Sequence, residues 1–419
     1  MDLLAAFVIT LALITFVSLR YRISPFFTLI GGSILFGLLS GMTLDATLLG
    51  IVTGIGAVFS AFGIIILCGA VIAKLLEEQH QIEEIIADIR QYVRNPPVLA
   101  GFSGYLLSVP ITCCITAYIL LNPIFDHIEK DPKKRNILLY LVAVGSIVSY
   151  ALIYPTPVVI PLFDAFSQGM SPFVYDAVAI PLSLVVLAGI LLFFHRVHPE
   201  HISDNSLADP TTGDHHTIHG RAWAPFIVIL LAIPVSLFVL SLSHTAMISF
   251  IMLAGAVTAI ILAPQELRSK GLSQGAKHAG LIIFDICGAG ALGFVIVSTG
   301  FAQGTLGQLT QVIPIILVPF ILAALIETAQ GSRVVTAVIT AQVIAGSAVA
   351  SALHPVTLIL LISAGACMIS YVTDPFFWLV QRTTGDDMKT VVRNYTLPIA
   401  LAGIVIFIVA LALEYFVFR

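Results

Sequence analysis

Tyr154-Pro155-Thr156-Pro157 interrupts an apolar segment with a Thr/Pro turn, and about 220 residues later Thr373-Asp374-Pro375 interrupts another. Each turn follows an earlier interruption built from small residues. In the first copy this is Pro110-Ile111-Thr112-Cys113-Cys114, and in the second Gln330-Gly331-Ser332-Arg333. The flanks keep step, Gly145 with Gly365 and Ser149-Tyr150 with Ser370-Tyr371. Open backbone polar groups are not tolerated against lipid, so broken helices occur where they line protein or a cavity. A pair of such breaks at corresponding places in two halves points to the binding site of a secondary transporter.

The composition agrees. Of 419 residues, 58% are hydrophobic and only 10% charged, with a mean hydropathy of +1.05, whereas a soluble domain carries about 25% charged residues. The chain reads as an all-α polytopic membrane protein. A net charge of −4 gives no electrostatic footprint for nucleic acid. Five cysteines lie in or beside apolar runs and form no extracellular disulfide framework; adjacent Cys113 and Cys114 are poorly placed to pair. The run 3–19 follows Asp2, lacks a basic leader and reads as a first transmembrane helix.

Segments long enough to span, roughly 17–25 residues, fall near 3–19, 24–41, 47–74, 137–161, 173–195, 224–243, 246–263, 279–303, 355–380 and 396–417. Two further apolar stretches, 98–124 and 313–345, contain the small-residue interruptions. Lysine and arginine concentrate in cytoplasmic loops. With both stretches re-entrant and both termini outside, 17 of the 19 basic residues face the cytoplasm, leaving Arg333 in the membrane and Arg419 outside. Letting both cross divides them 8 inside against 10 outside. The first hairpin is decided by this count; the second less so, since crossing by it alone still leaves 15 inside.

The expected architecture is two inverted repeats, each of about five transmembrane helices plus one re-entrant hairpin, with broken helices at the site. Residues 1–195 form the first, with hairpin 98–124 and broken helix 137–161. Residues 223–419 form the second, with hairpin 313–345 and broken helix 355–380. The hairpins dip from opposite faces, and their tips can reach the midplane. Between the repeats, 196–222 reads as a polar, His-rich cytoplasmic linker; His195, His198, His201, His215, His216 and His219 show no fixed metal-ligand spacing. Between Lys74 and Arg94, Ile82, Ile85, Ile86 and Ile89 recur at helical spacing opposite an acidic face, which suits a helix along the membrane surface or against neighbouring protein.

The chemistry is expected at the breaks. Pro155, Pro157 and Pro375 remove amide donors and turn the preceding residues out of helix, exposing amides, carbonyls and the hydroxyls of Thr156 and Thr373. Inward-pointing half-helix N-termini favour an anionic group. Arg333 is the most unusual side chain, since an arginine at mid-membrane costs about 2.5–3.5 kcal/mol on insertion scales. Three readings stand: it holds a substrate carboxylate, it pairs with Glu327 or Asp374, or it reaches to the outer surface. Of the acids inside apolar segments, Asp285, Glu327 and Asp374 are the candidates. Asp374 in its break is the first choice for ion coupling and Glu327 the second. Asp285, followed by Gly288, Gly290 and Gly293, equally fits a bond to a closely packed neighbour. Thr112, Cys113 and Cys114 at the first tip, and Gln330, Gly331, Ser332 and Thr336 at the second, complete the candidate substrate set, although Ser and Thr in membrane helices also bond backbone carbonyls and buried cysteines act as small fillers. No metal ligand set or cofactor motif is present.

Ala329-Gln330-Gly331-Ser332 with Val334, Val335 and Ile339-Thr340-Ala341 resembles the gluconate permease family of proton symporters. So do Ser370-Tyr371-Val372-Thr373-Asp374-Pro375-Phe376-Phe377-Trp378-Leu379-Val380, the Tyr154-Pro155-Thr156-Pro157 turn and Leu75-Leu76-Glu77-Glu78, over roughly residues 50–395. The resemblance implies an ion-transporter-superfamily fold, a homodimer in the cell membrane, and import of gluconate or a related sugar acid with protons. This chain departs from the family at both tips. It has Ile111-Thr112-Cys113-Cys114 where an acidic residue is common, and Arg333 where alanine is common, which makes the site more positive. The alternatives are a sodium-coupled carboxylate carrier, a cation/proton antiporter, a channel, or an intramembrane aspartyl protease using Asp285 and Asp374.

Overall fold

The computed structural model describes residues 3–21, 24–93, 95–167, 169–199, 219–236, 240, 244–301, 311–371 and 373–418. Most of the linker, 200–218, therefore lies outside the described residues, as do Arg22, Arg94, Val372 and Arg419. Every regular element among the described residues is helical. Among the described residues, five helices have the length and apolarity to cross a membrane: Leu44–Glu78, Pro132–Leu152, Pro172–Val197, Gln265–Ser298 and Met388–Phe416. Shorter apolar helices occupy most of the other expected spans.

Both small-residue interruptions separate a pair of helices packed on each other: Pro96–Ser108 with Cys114–Ile128, and Val318–Gln330 with Arg333–Ile344. Both Thr/Pro interruptions break a helix in two. Pro132–Leu152 is followed after a turn by Val159–Phe166, and Pro355–Ala366 by Pro375–Thr384. The first broken helix thus runs on to Phe166, past the apolar segment that ends at 161.

The chain packs as two compact units, each drawing on both halves of the sequence. One comprises residues 1–59, 151–186 and 284–419. Its centre is the Pro355–Ala366 helix, buried from Val356 to Ala366, as expected of a helix apolar on every side. That helix packs on Val318–Gln330, Arg333–Ile344, Val159–Phe166 and Leu397–Phe416. The second hairpin and the far side of the first break therefore share one core.

The other unit comprises residues 60–150 and 187–283. Here the first hairpin lies against Pro132–Leu152 at glycine contacts. A Cβ on Gly145 would stand 2.2 Å from the Gly101 carbonyl oxygen, and one on Gly104 2.3 Å from that of Val142, so the backbones meet as small residues permit in membrane helices. The acidic segment forms the helix Gln81–Tyr92, and Ile82, Ile85, Ile86 and Ile89 are all buried. This helix packs on Gly220–Pro234 and Pro96–Ser108. Its Asp88 accepts hydrogen bonds from the His219 amide at 3.0 Å, from His219 Nδ1 at 2.8 Å and from Trp223 Nε1 at 2.9 Å.

Candidate functional site

The second hairpin turns at Gly331, whose φ of +64° is open to glycine at little cost. The turn is tight for a second reason. A Cβ at Gly331 would lie 2.2 Å from the Thr373 carbonyl oxygen and 2.4 Å from the Asp374 nitrogen. The hairpin tip thus sits directly on the broken backbone, and Thr373 Oγ1 fastens the two by donating to the Thr328 carbonyl at 2.9 Å. Ser332 then starts the Arg333–Ile344 helix as its N-cap.

Arg333 is 5% exposed, Glu327 0% and Asp374 1%, so one base and two acids are buried together. Arg333 donates through Nη2 to Ser370 Oγ, and the same nitrogen lies 3.5 Å from Asp374 Oδ2. Asp374 is held on every side. As N-cap of Pro375–Thr384 it accepts from the Phe376 amide at 2.8 Å, and Tyr395 Oη donates to its Oδ2 at 2.8 Å. Glu327 is held less. Its Oε2 accepts from Thr336 Oγ1 at 2.9 Å, and its Oε1 has no hydrogen-bond partner among the described residues. The same is true of two buried donors, Gln330 Nε2 and Arg333 Nε. Buried polar atoms are nearly always satisfied, so two free donors and one free acceptor between Glu327 and Arg333, at the tip of the hairpin, suit something polar.

At the first break Thr156 is fully buried. Its carbonyl accepts from the Val159 and Ile160 amides, and its hydroxyl lies 3.4 Å from the Val159 amide, so it opens the Val159–Phe166 helix. Pro155 follows a cis peptide bond. Two residues that the sequence left unremarked hold this break: Tyr175 Oη donates to the Leu152 carbonyl at 2.8 Å, and Asp176 Oδ1 accepts from the Tyr154 amide at 3.0 Å.

The first hairpin tip belongs to the other unit. Thr112 turns the chain with φ +56°, an uncommon conformation for a residue with a side chain, and it is buried. Cys113 caps Cys114–Ile128, its Sγ accepting from the Thr116 amide at 3.4 Å, and Cys114 is buried beside it. Thr116 Oγ1 meets His278 Nε2 at 2.6 Å. Asp285 joins a different network from Arg333: its Oδ1 accepts from the Phe26 amide at 3.2 Å and lies 3.4 Å from Ser24 Oγ. It caps the Pro25–Leu39 helix, the neighbour-bonding role that its sequence setting also fitted.

A buried arginine and two buried acids, set in a hairpin against a proline-broken helix, are features that transporter sites use. The family model "GntP family permease" matches residues 1–416. The chain belongs to the GntP permease family. This permease is 22% identical to the "Low-affinity gluconate transporter" of Escherichia coli K12, with 94% of each chain covered. It is 23% identical to the "Gnt-II system L-idonate transporter" of the same strain, covering 90% of this chain and 92% of that one. An "Uncharacterized permease" of Haemophilus influenzae is 23% identical over 94% of this chain and 88% of its own. Among solved structures, the YdaH transporter of Alcanivorax borkumensis superposes with a TM-score of 0.60 at 15% identity, covering 89% of each chain; this likeness is one of fold. The family and these relatives are permeases, and the GntP chain described here is a multi-pass membrane transporter, not an enzyme.

Proposed function

We propose that this permease imports gluconate or a related hydroxycarboxylate in symport with a proton. The observation that carries the reading is the unequal treatment of the three charged groups at the second hairpin. Asp374, bonded to an amide, a phenol and Arg333, is the fixed counter-charge. Arg333 keeps Nε free and Gln330 keeps Nε2 free, two donors suited to a carboxylate and a hydroxyl. Glu327, with one oxygen unbonded, is the group placed to take and release the proton.

The charge count explains why anion and proton travel together. With both acids ionised the cluster carries one net negative charge, counting Arg333 against Glu327 and Asp374. At about 4 Å a further carboxylate would meet repulsion on the order of 4 kcal/mol at an effective dielectric of about 20. A proton on Glu327 neutralises the cluster and lets Arg333 accept the substrate. This assignment puts Glu327 ahead of Asp374, the reverse of the order suggested by the helix break alone.

The same reading includes re-entrant hairpins and inverted repeats. The hairpin legs, Pro96–Ser108, Cys114–Ile128, Val318–Gln330 and Arg333–Ile344, contain 13, 15, 13 and 12 residues. They reach about 18–22 Å at 1.5 Å per residue, short of a hydrocarbon core of about 30 Å. With the distribution of basic residues this supports a cytoplasmic-membrane carrier with both termini outside; a homodimer rests on the family resemblance. Relatives named for gluconate and L-idonate transport support the substrate class. The test is uptake of labelled gluconate into proteoliposomes under an imposed proton gradient, then under an imposed sodium gradient. Accumulation only with the proton gradient is expected. Accumulation driven by sodium alone would establish the sodium-coupled alternative, and absence of gluconate uptake under either would reject the substrate.

A further inference from the structure

Breaking a helix strands a carbonyl and an amide, and the first break finds partners for both on successive residues of Pro172–Val197: Tyr175 for the Leu152 carbonyl and Asp176 for the Tyr154 amide. The second break is braced from the corresponding place, about 220 residues on. There Tyr395 Oη donates to Asp374 Oδ2 at 2.8 Å and Thr396 Oγ1 to the Ser370 carbonyl at 2.6 Å. Tyrosine matches tyrosine, but a carboxylate in the first brace stands where a hydroxyl stands in the second.

A neutral acceptor would satisfy the Tyr154 amide without the cost of burying a charge. Asp176 is nonetheless partly buried and forms no ion pair with Lys or Arg among the described residues. The titratable groups beside it are Tyr154 and Tyr175, and Asp164 lies near Tyr154. Tyr175 is committed to the Leu152 carbonyl. Tyr154 Oη is buried, lacks a hydrogen-bond partner among the described residues, and lies within electrostatic range of both Asp164 and Asp176. Asp164 is exposed.

We propose that Asp176 is a second protonatable group of the carrier, a positioning residue whose proton occupancy sets the shape of the break at Tyr154–Pro157. This deepens the proton-symport reading and rests on it. Ionised, Asp176 takes a charge-assisted bond from the Tyr154 amide, the stronger kind. When a hydronium ion gives its proton to the carboxylate and leaves as water, the bond from the Tyr154 amide loses its charge assistance and weakens. The segment beyond the break, Val159–Phe166, packs on Arg333–Ile344 and Pro355–Ala366, so a change at Tyr154 is passed to the helices that hold Arg333 and lead to Asp374.

The test uses the full-length permease in proteoliposomes and two readouts. Infrared difference spectra between acid and neutral buffer need no substrate. A titrating carboxyl component that survives Glu327→Gln is expected in the wild-type and Asp164→Asn backgrounds, and its loss in Asp176→Asn. Gluconate uptake measured across pH is expected to keep its KM in Asp176→Asn, whose amide oxygen still accepts from Tyr154, while the pH profile of the maximal rate departs from that of the wild type and keeps only the dependence due to Glu327. Should Asp176→Asn fail to fold, Asp176→Glu is expected to shift the pH profile and keep a band. An unchanged band in Asp176→Asn, or an unchanged pH profile in the substituted protein, overturns the proposal. A wild type that moves gluconate without protons overturns the symport reading instead, and the infrared result then stands separately on whether Asp176 titrates.

Discussion

Gly331 lies so close to Thr373 that a β-carbon would stand 2.2 Å from the Thr373 carbonyl oxygen. This contact seats the hairpin tip on the broken helix and sets where Arg333, two residues on, meets Asp374. The opposing atom is backbone, which cannot rotate aside. Gly331→Ala should therefore separate tip from break, abolish uptake and lower the melting temperature by more than left-handed strain alone, about 1–2 kcal/mol. Gly346→Ala is the control: its φ is +74° but nothing lies within 4 Å of its would-be Cβ. It should show only the strain and keep uptake. Equal melting temperatures for the two variants would refute the tight contact.

Among the described residues Arg333 is the only basic one in its cluster, and its roles as counter-charge and as donor fork separate by substitution. Arg333→Lys keeps the charge and loses the free Nε, so KM for gluconate should rise at least about tenfold, the equivalent of about 1.4 kcal/mol, with the protein still folded. Arg333→Ala leaves Asp374 and Glu327 buried without their cation, and breaking a buried pair in this way costs about 3–5 kcal/mol. Its loss should appear in thermal stability as well as uptake. A lysine variant with unchanged KM would remove Arg333 from substrate binding.

The Asp88–His219 pair gives a stability signature outside the spanning segments. The Asp88 hydrogen bond, opposed by some desolvation and aided by nearby acidic charge, raises His219 above its usual 6.5. Burial works to raise Asp88, but bonds from His219 and Trp223 prevail and hold it below its usual 3.8. The histidine's contribution is complete below 6.5 and fades as pH rises through its folded value; the aspartate's is complete above 3.8 and fades as pH falls through its folded value. The pair should therefore stabilise most between about pH 4 and 6.5. Melting curves of wild type and His219→Gln should differ most in that window and converge above it. A difference that is flat with pH, or largest in alkaline buffer, would contradict the pairing.

Much of this was legible in the sequence because the signals are local. Proline, glycine and small polar residues clustered in an apolar run break it locally, and the interruptions at 110–114, 154–157, 330–333 and 373–375 each fall at an observed turn. Hydropathy located most of the spans but not their ends, since polar helix continues past the apolar stretch, as Gln265–Ser298 does ahead of residue 279. What sequence did not yield was the set of partners. Tyr395 lies 21 residues from Asp374, Asp176 22 from Tyr154, and His278 162 from Thr116, and no periodicity links such pairs. Tyr175 and Tyr395 did offer a signal: extending the duplicated pattern beyond the breaks aligns them. The proposed order of the acids differs from the one a helix break suggests because Asp374 is already engaged by an amide, a phenol and a guanidinium, which only tertiary structure displays.

The central claim is that Glu327 carries a proton with each substrate anion. The direct measurement is proton flux into proteoliposomes, followed with a trapped pH dye, on addition of gluconate without an imposed gradient. Wild type should acidify the lumen as labelled gluconate enters. Glu327→Gln should bind gluconate and exchange it across the membrane while moving no protons, and Asp374→Asn should lose binding itself. Gluconate entry in wild type without acidification, or proton flux preserved in Glu327→Gln, would contradict the account.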